Sequence, residues 1–175
     1  MIPRADLEIY LGTTPGSFIP YVYTGNNTDN YSVAPIRGYY NAAVGDRLCY
    51  SGAFSGLVCN NEVTSTGVYR CYEFIQCYWL GTTKNVNGVP SVGNGDSGGP
   101  VVAFAQRADG TIGAYGVGVN SGIFNVTKES TNCTGDHGYY EDEENFRLCG
   151  TDVLYAPLVR WAPNQSVFSL LISAN

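Results

Sequence analysis

Charge is scarce in this chain. Asp, Glu, Lys and Arg together make up 14% of its 175 residues, against roughly a quarter in an average soluble domain. Positive charge is scarcest: 9 Lys and Arg stand against 15 Asp and Glu, a net charge of −6. A chain so poor in cations cannot neutralise a phosphate backbone, so nucleic acid is excluded as a partner. No apolar run approaches the length of a bilayer span, so no membrane role is expected. No CxxC pair occurs, which argues against a zinc ribbon or a thioredoxin-like site. There is no internal repeat and no low-complexity tract. Histidine occurs once, at His137. No leader peptide is recognisable, because Met1-Ile2-Pro3-Arg4 runs straight into a strand-like segment.

What is present fits a β-rich extracellular protein. Hydrophobic residues reach 44%, with 22 Gly and 14 Tyr. The six cysteines are even in number, which favours disulfides over free thiols. Short loops favour Cys49–Cys59 and Cys133–Cys149, leaving Cys71 with Cys77. N-x-S/T sequons at Asn26, Asn30, Asn125, Asn132 and Asn164 point the same way, towards secretion and glycosylation. A secreted-looking chain without a leader is expected to lack its beginning.

Apolar residues alternate in short runs broken by Gly, Asn and Pro. This pattern predicts strands at Asp6–Leu11, Tyr21–Tyr23, Asp46–Ser51, Leu57–Thr64, Val101–Ala105, Gly113–Val119 and Val153–Leu158, with Val68–Leu80 as one or two strands. Residues 15–41 otherwise read as loop, and so do Gly81–Gly95. A hairpin turn is expected at Asp109-Gly110, and a helix only at Ser166–Ser173. The fold class is all-β, a barrel with one terminal helix.

One segment carries chemistry: Gly95-Asp96-Ser97-Gly98-Gly99-Pro100. A serine nucleophile needs an exposed Oγ on a tight turn, with backbone N–H groups aimed at the developing oxyanion. Small flanking residues permit such a turn, and Gly95 permits it without a Cβ clash. Ser97 is the candidate nucleophile, Gly95 and Ser97 N–H are the candidate oxyanion donors, and Asp96 is expected to turn inward and fix the loop.

The run GNGDSGGPVV resembles the active-site loop of the trypsin/chymotrypsin family. Other segments resemble its streptogrisin-like branch. Val44–Gly52 followed by Cys59 is similar to the disulfide-bridged hairpin that opens the second barrel of that family. Gly118–Gly122 is similar to its substrate-pairing strand, and Leu154–Leu158 to the rear strand of its specificity pocket. The likeness covers about residues 36–175. It implies an antiparallel Greek-key barrel of the chymotrypsin type, with the second barrel complete and the first largely missing. Residues 1–35 would then be the remnant of the first barrel and the linker. Residues 36–175 would be the second barrel with nucleophile loop, pocket and C-terminal helix.

The resemblance also implies roles. Asp6, at the head of an alternating apolar run, corresponds to the carboxylate that orients the catalytic histidine. That histidine should precede Asp6 by tens of residues, so a missing segment or a separate chain would have to carry it. His137 follows Ser97 and reads as a surface-loop histidine. The pocket would be lined by Ser91, Ser121, Gly122 and Ile123. Ser91 at its base makes it neutral, and Ile123, where the family usually has Gly, would narrow its mouth. Streptogrisin-like enzymes often have an Arg after the hairpin Cys that holds the Asp before the nucleophile. Tyr50 occupies that place here, so the Tyr50 hydroxyl or Arg47 is expected to hold Asp96.

Glu141-Asp142-Glu143-Glu144 lacks the ligand spacing of a calcium loop and reads as a solvated acidic run. No metal or cofactor is expected. The implied activity is that of a secreted serine endopeptidase acting on peptide or protein substrates. The alternative is an inactive homologue that binds peptides or proteins through the same cleft.

Overall fold

The computed structural model of the chain describes residues 19–26, 32–72, 76–124, 133–135 and 147–160. These residues form the strands β1 (Tyr21–Tyr23), β2 (Val33–Tyr39), β3 (Arg47–Gly52), β4 (Gly56–Tyr72), β5 (Gln76–Asn85), β6 (Val92–Gly93), β7 (Pro100–Gln106), β8 (Ile112–Phe124), β9 (Cys149–Gly150) and β10 (Asp152–Pro157). A 3-10 turn at Leu158–Arg160 follows.

The strand order β8-β10-β5-β4-β3-β7 closes on itself, because β7 also pairs with β8. Every pairing in this ring is antiparallel. The result is a closed barrel, which leaves no raw edge within the ring. β1 and β2 form a flap beside it, and β2 runs parallel to part of β8.

The two-residue period of the strands sorts side chains between faces. Leu48 and Tyr50 of β3, Val101 of β7, Val117 of β8, and Val153 and Tyr155 of β10 fill the barrel core. Their neighbours Cys49 and Val102 point the other way and pack with Val22 and Ala114. Leu154 and Ala156 leave the core in the opposite sense and meet Leu80. Both faces of these strands are therefore covered, and each fully buried aliphatic side chain contributes about 1.5–3 kcal/mol.

Three disulfides are present: Cys49–Cys59, Cys71–Cys77 and Cys133–Cys149. The first and third are the pairs that short loops favour, and Cys71–Cys77 is the pair they leave.

Two expected loops turn out to hold strands. β2 occupies part of the segment read as loop, its alternation hidden by Pro35 and Gly38. β5 continues through Gly81 to Asn85, and β6 lies at Val92–Gly93. Gly81 serves close packing instead of a turn: a Cβ there would sit 2.2 Å from the Tyr155 ring. Asp6–Leu11 and Ser166–Ser173 lie outside the described residues.

Candidate active site

The segment from Ser91 to Pro100 hangs between two strand pairs. On one side β6 pairs with β9, Val92 facing Gly150 and Gly93 facing Cys149. Ser91 N–H donates to Gly150 O, and Asn94 N–H to Leu148 O, each at 2.9 Å. On the other side Asn120 N–H donates to Gly99 O at 2.8 Å, and Gly98 N–H to Asn120 O at 3.0 Å. Between these anchors the chain makes a tight turn with Ser97 exposed at its tip. Gly95 has φ 91°. That conformation is open to glycine, and a Cβ there would lie 2.4 Å from the Phe54 ring.

Asp96 turns inward and is buried. Its Oδ1 accepts from Phe54 N–H (2.8 Å) and Ser55 N–H (3.0 Å). Its Oδ2 accepts from Ser55 Oγ–H (2.5 Å), Gly93 N–H (2.8 Å) and Arg147 Nη2 (2.6 Å). Its backbone carbonyl accepts from Asn120 Nδ2 at 2.9 Å.

The cation on Asp96 is thus Arg147, which overturns the expectation for Tyr50 and Arg47. The Tyr50 hydroxyl is in the barrel core, 2.8 Å from Thr83 Oγ1. Burial pushes its pKa far up, so it stays neutral. Arg47 lies at the surface, 3.6 Å from Glu62. Arg147 comes instead from the second limb of the Cys133–Cys149 loop. It is itself buried, and its guanidinium also lies over the Phe54 ring, 5.5 Å from the centroid.

The backbone N–H groups of the turn divide sharply. Those of Gly93, Asn94, Asp96, Gly98 and Gly99 all donate to protein acceptors. Those of Gly95 and Ser97 have no acceptor among the described residues. The Ser97 hydroxyl also has no hydrogen-bond partner among them.

Of the expected pocket residues, Ser91 is fully buried. Its Oγ donates to Asn61 Oδ1 and accepts from Asn85 Nδ2 at 3.0 Å. The hydroxyl is thereby held inside a neutral amide cluster. Gly122 and Ile123 face Leu154 and Val153 across the β8–β10 pair, and Ser121 is the extra residue at a bulge. Ile123 packs against the barrel core. Ser91 and Ile123 meet on either side of Gly150: Ser91 bonds its carbonyl, and a Cβ on Gly150 would lie 3.5 Å from Ile123 Cβ. Asp6, His137 and Glu141–Glu144 lie outside the described residues.

Sequence reasoning missed Ser55, Asn120 and Arg147. The last had a signal: a lone cation between Phe146 and Leu148, two residues from a cysteine, in a chain with few charges.

Solved structures with the same architecture are serine proteases. A glutamic acid-specific serine protease matches with a TM-score of 0.55 and 21% identity, over 86% of this chain and 60% of that one. Protease A of Thermobifida fusca matches at 0.53 and 22%, over 89% and 61%. Nocardiopsis protease matches at 0.55 and 20%, over 93% and 65%.

The chain has the chymotrypsin fold.

It spans 60–65% of the length of these three structures. No family model and no curated protein matches it. Within the chymotrypsin fold, the Ser97 turn joins β6 to β7.

Proposed function

We propose that the protein is a secreted serine endopeptidase with Ser97 as its nucleophile. The observation that carries this reading is the division of N–H groups in the turn. Gly95 and Ser97 are exposed, so their N–H groups are open to solvent and to an incoming carbonyl oxygen. Here neighbours on every side are bonded, while Gly95 and Ser97 N–H are kept free beside an exposed hydroxyl. Two free donors next to a hydroxyl suit the oxyanion that forms when that hydroxyl attacks a carbonyl.

In this reading Ser97 Oγ adds to the scissile carbonyl and a histidine takes its proton. The tetrahedral intermediate collapses to an acyl-enzyme, and the histidine returns the proton to the leaving amine. Water then adds to the acyl group and releases Ser97. The histidine comes from a further segment or a separate chain, and Asp6 orients it. Asp96 fixes the turn. Ser91, Ser121, Gly122 and Ile123 form a neutral specificity pocket that suits uncharged side chains, with Ile123 favouring small ones. Three disulfides and the exposed sequon at Asn26 support an extracellular setting and glycosylation.

The sequence favours a second reading, a catalytically inactive module that binds peptides: its single histidine, His137, follows Ser97 instead of preceding Asp6 as the resemblance implies. A fluorophosphonate separates the two. Rapid covalent labelling that Ser97→Ala abolishes supports the peptidase. Labelling no faster than that of free serine, with peptide binding retained, establishes the module.

A further inference from the structure

We infer that Arg147, two residues from the Cys133–Cys149 disulfide, is the positioning residue of the oxyanion turn. The inference rests on the reading of Gly95 and Ser97 N–H as oxyanion donors, and it adds what holds them.

Each donor of the guanidinium goes to a different part of the site. Nε bonds Asn94 O and Nη1 bonds Thr134 O, both at 3.1 Å. Nη2 bonds Ser55 Oγ at 2.8 Å and Asp96 Oδ2 at 2.6 Å. Asn94 and Asp96 flank Gly95 directly, so a single planar group holds the carbonyl of the peptide that carries the Gly95 N–H and the side chain of the residue after it. Lysine has one ammonium and cannot span these acceptors, whereas the fork of arginine can.

The described residues beside that disulfide are themselves tied down. Thr134 Oγ donates to Pro90 O at 2.6 Å, and the disulfide joins Cys133 to the strand that pairs with β6. Gly135 packs so closely on the β3–β4 turn that a Cβ would lie 2.2 Å from Phe54 O. The carboxylate of Asp96 already accepts from five donors, which fills its acceptor positions. The turn therefore takes its shape from an internal cation.

Amide hydrogen exchange followed by NMR tests this on the full chain, whether or not the chain is active. In Arg147→Met the N–H groups of Gly93, Asn94 and Asp96 should exchange at least tenfold faster. Those of Val63 and Thr83 in the barrel wall should stay within twofold. Arg147→Lys keeps the charge and should still lose protection at Asn94. If Arg147→Met unfolds, the double variant Asp96→Asn/Arg147→Met, which leaves no buried unpaired charge, is read by the same criterion. Native exchange rates at all three amides in the folded variant would overturn the inference. Where the protein turns over peptide, Arg147→Lys should lower kcat at least tenfold with KM within threefold. If native protein shows no fluorophosphonate labelling, the peptidase reading fails, while the exchange result still decides the role of Arg147.

Discussion

The β4–β5 arm and the nucleophile turn each lie next to a disulfide, yet they are built in opposite ways. The arm is local. Val68–Tyr72 pairs with Gln76–Leu80, and the cross-link joins residues that already face each other, Cys71 and Cys77. Its aromatic pair, Tyr69 and Trp79, stays largely in solvent with ring centroids 5.2 Å apart. The nucleophile turn is non-local. It draws on the β3–β4 turn, on β8 and on the Cys133–Cys149 loop, and one of its hydrogen bonds spans 92 residues of sequence. The difference shows where rigidity is concentrated. The arm meets the rest of the barrel at its base, where Leu80 packs with Leu154 and Ala156, whereas the turn is fixed by buried polar groups that depend on one another.

Removing one partner of the buried pair should have the largest effect. Asp96→Ala leaves the Arg147 charge buried without its counter-ion, and loss of one partner of such a pair costs about 3–5 kcal/mol. Urea denaturation should show a loss of that size. A change below 1 kcal/mol would mean that the turn is no more interdependent than the arm.

The disulfides allow the two regions to be compared by the same operation. Cys133–Cys149 closes a separation of 16 residues and Cys71–Cys77 one of 6. Loop-closure entropy predicts about 3 kcal/mol lost for the first Cys→Ser pair and about 2 kcal/mol for the second. Position matters more than this gap. Only the first pair should speed amide exchange in the nucleophile turn. Equal disturbance of the turn by both would erase the contrast drawn here.

The same contrast explains what was legible in the sequence. The Ser97 motif, two of the three cysteine pairs and most strands declare themselves through local spacing, and the third cysteine pair follows by elimination. β2 does not, since Pro35 and Gly38 interrupt its alternation and its partner strand lies far along the chain. Gly81 looks like a turn residue, but its missing Cβ makes room for Tyr155, which is 74 positions away by the numbering of the two residues. Arg147 was passed over for the same reason. Its place beside Asp96 depends on the register of β6 with β9, and the distance between the two residues in sequence carries no trace of that register. Residues that make chemistry possible by position alone are the hardest to read from order alone.

A smaller effect is expected in the arm. Trp79→Ala removes a tilted aromatic contact at an exposed site, worth about 0.5–1.5 kcal/mol. Thermal melts should record a shift in stability of that order, with native exchange rates at Gly93 and Asp96. Loss of protection there would show that the arm and the turn communicate.

The smallest effect tests the local extreme, the β7–β8 turn. Thr111 donates to Asp109 Oδ1 through its hydroxyl at 2.6 Å and its N–H at 2.9 Å. These bonds, the hydroxyl first, hold the Asp109 carboxyl below its ordinary range, with a further contribution from the Arg107 charge. A folded-state pKa below the unfolded one stabilises the fold above the unfolded value, and that stability is lost as pH falls through the folded value. Because Asp109 is fully exposed, its titration should be visible by NMR yet scarcely move the unfolding midpoint. Thr111→Val removes the hydroxyl and should raise the Asp109 titration midpoint towards that of a free carboxyl. A purely local turn predicts that the amide signals of Gly95 and Ser97 do not follow this titration. If they do, the β7–β8 turn is coupled through the barrel to the nucleophile, and the boundary between local and convergent regions lies elsewhere.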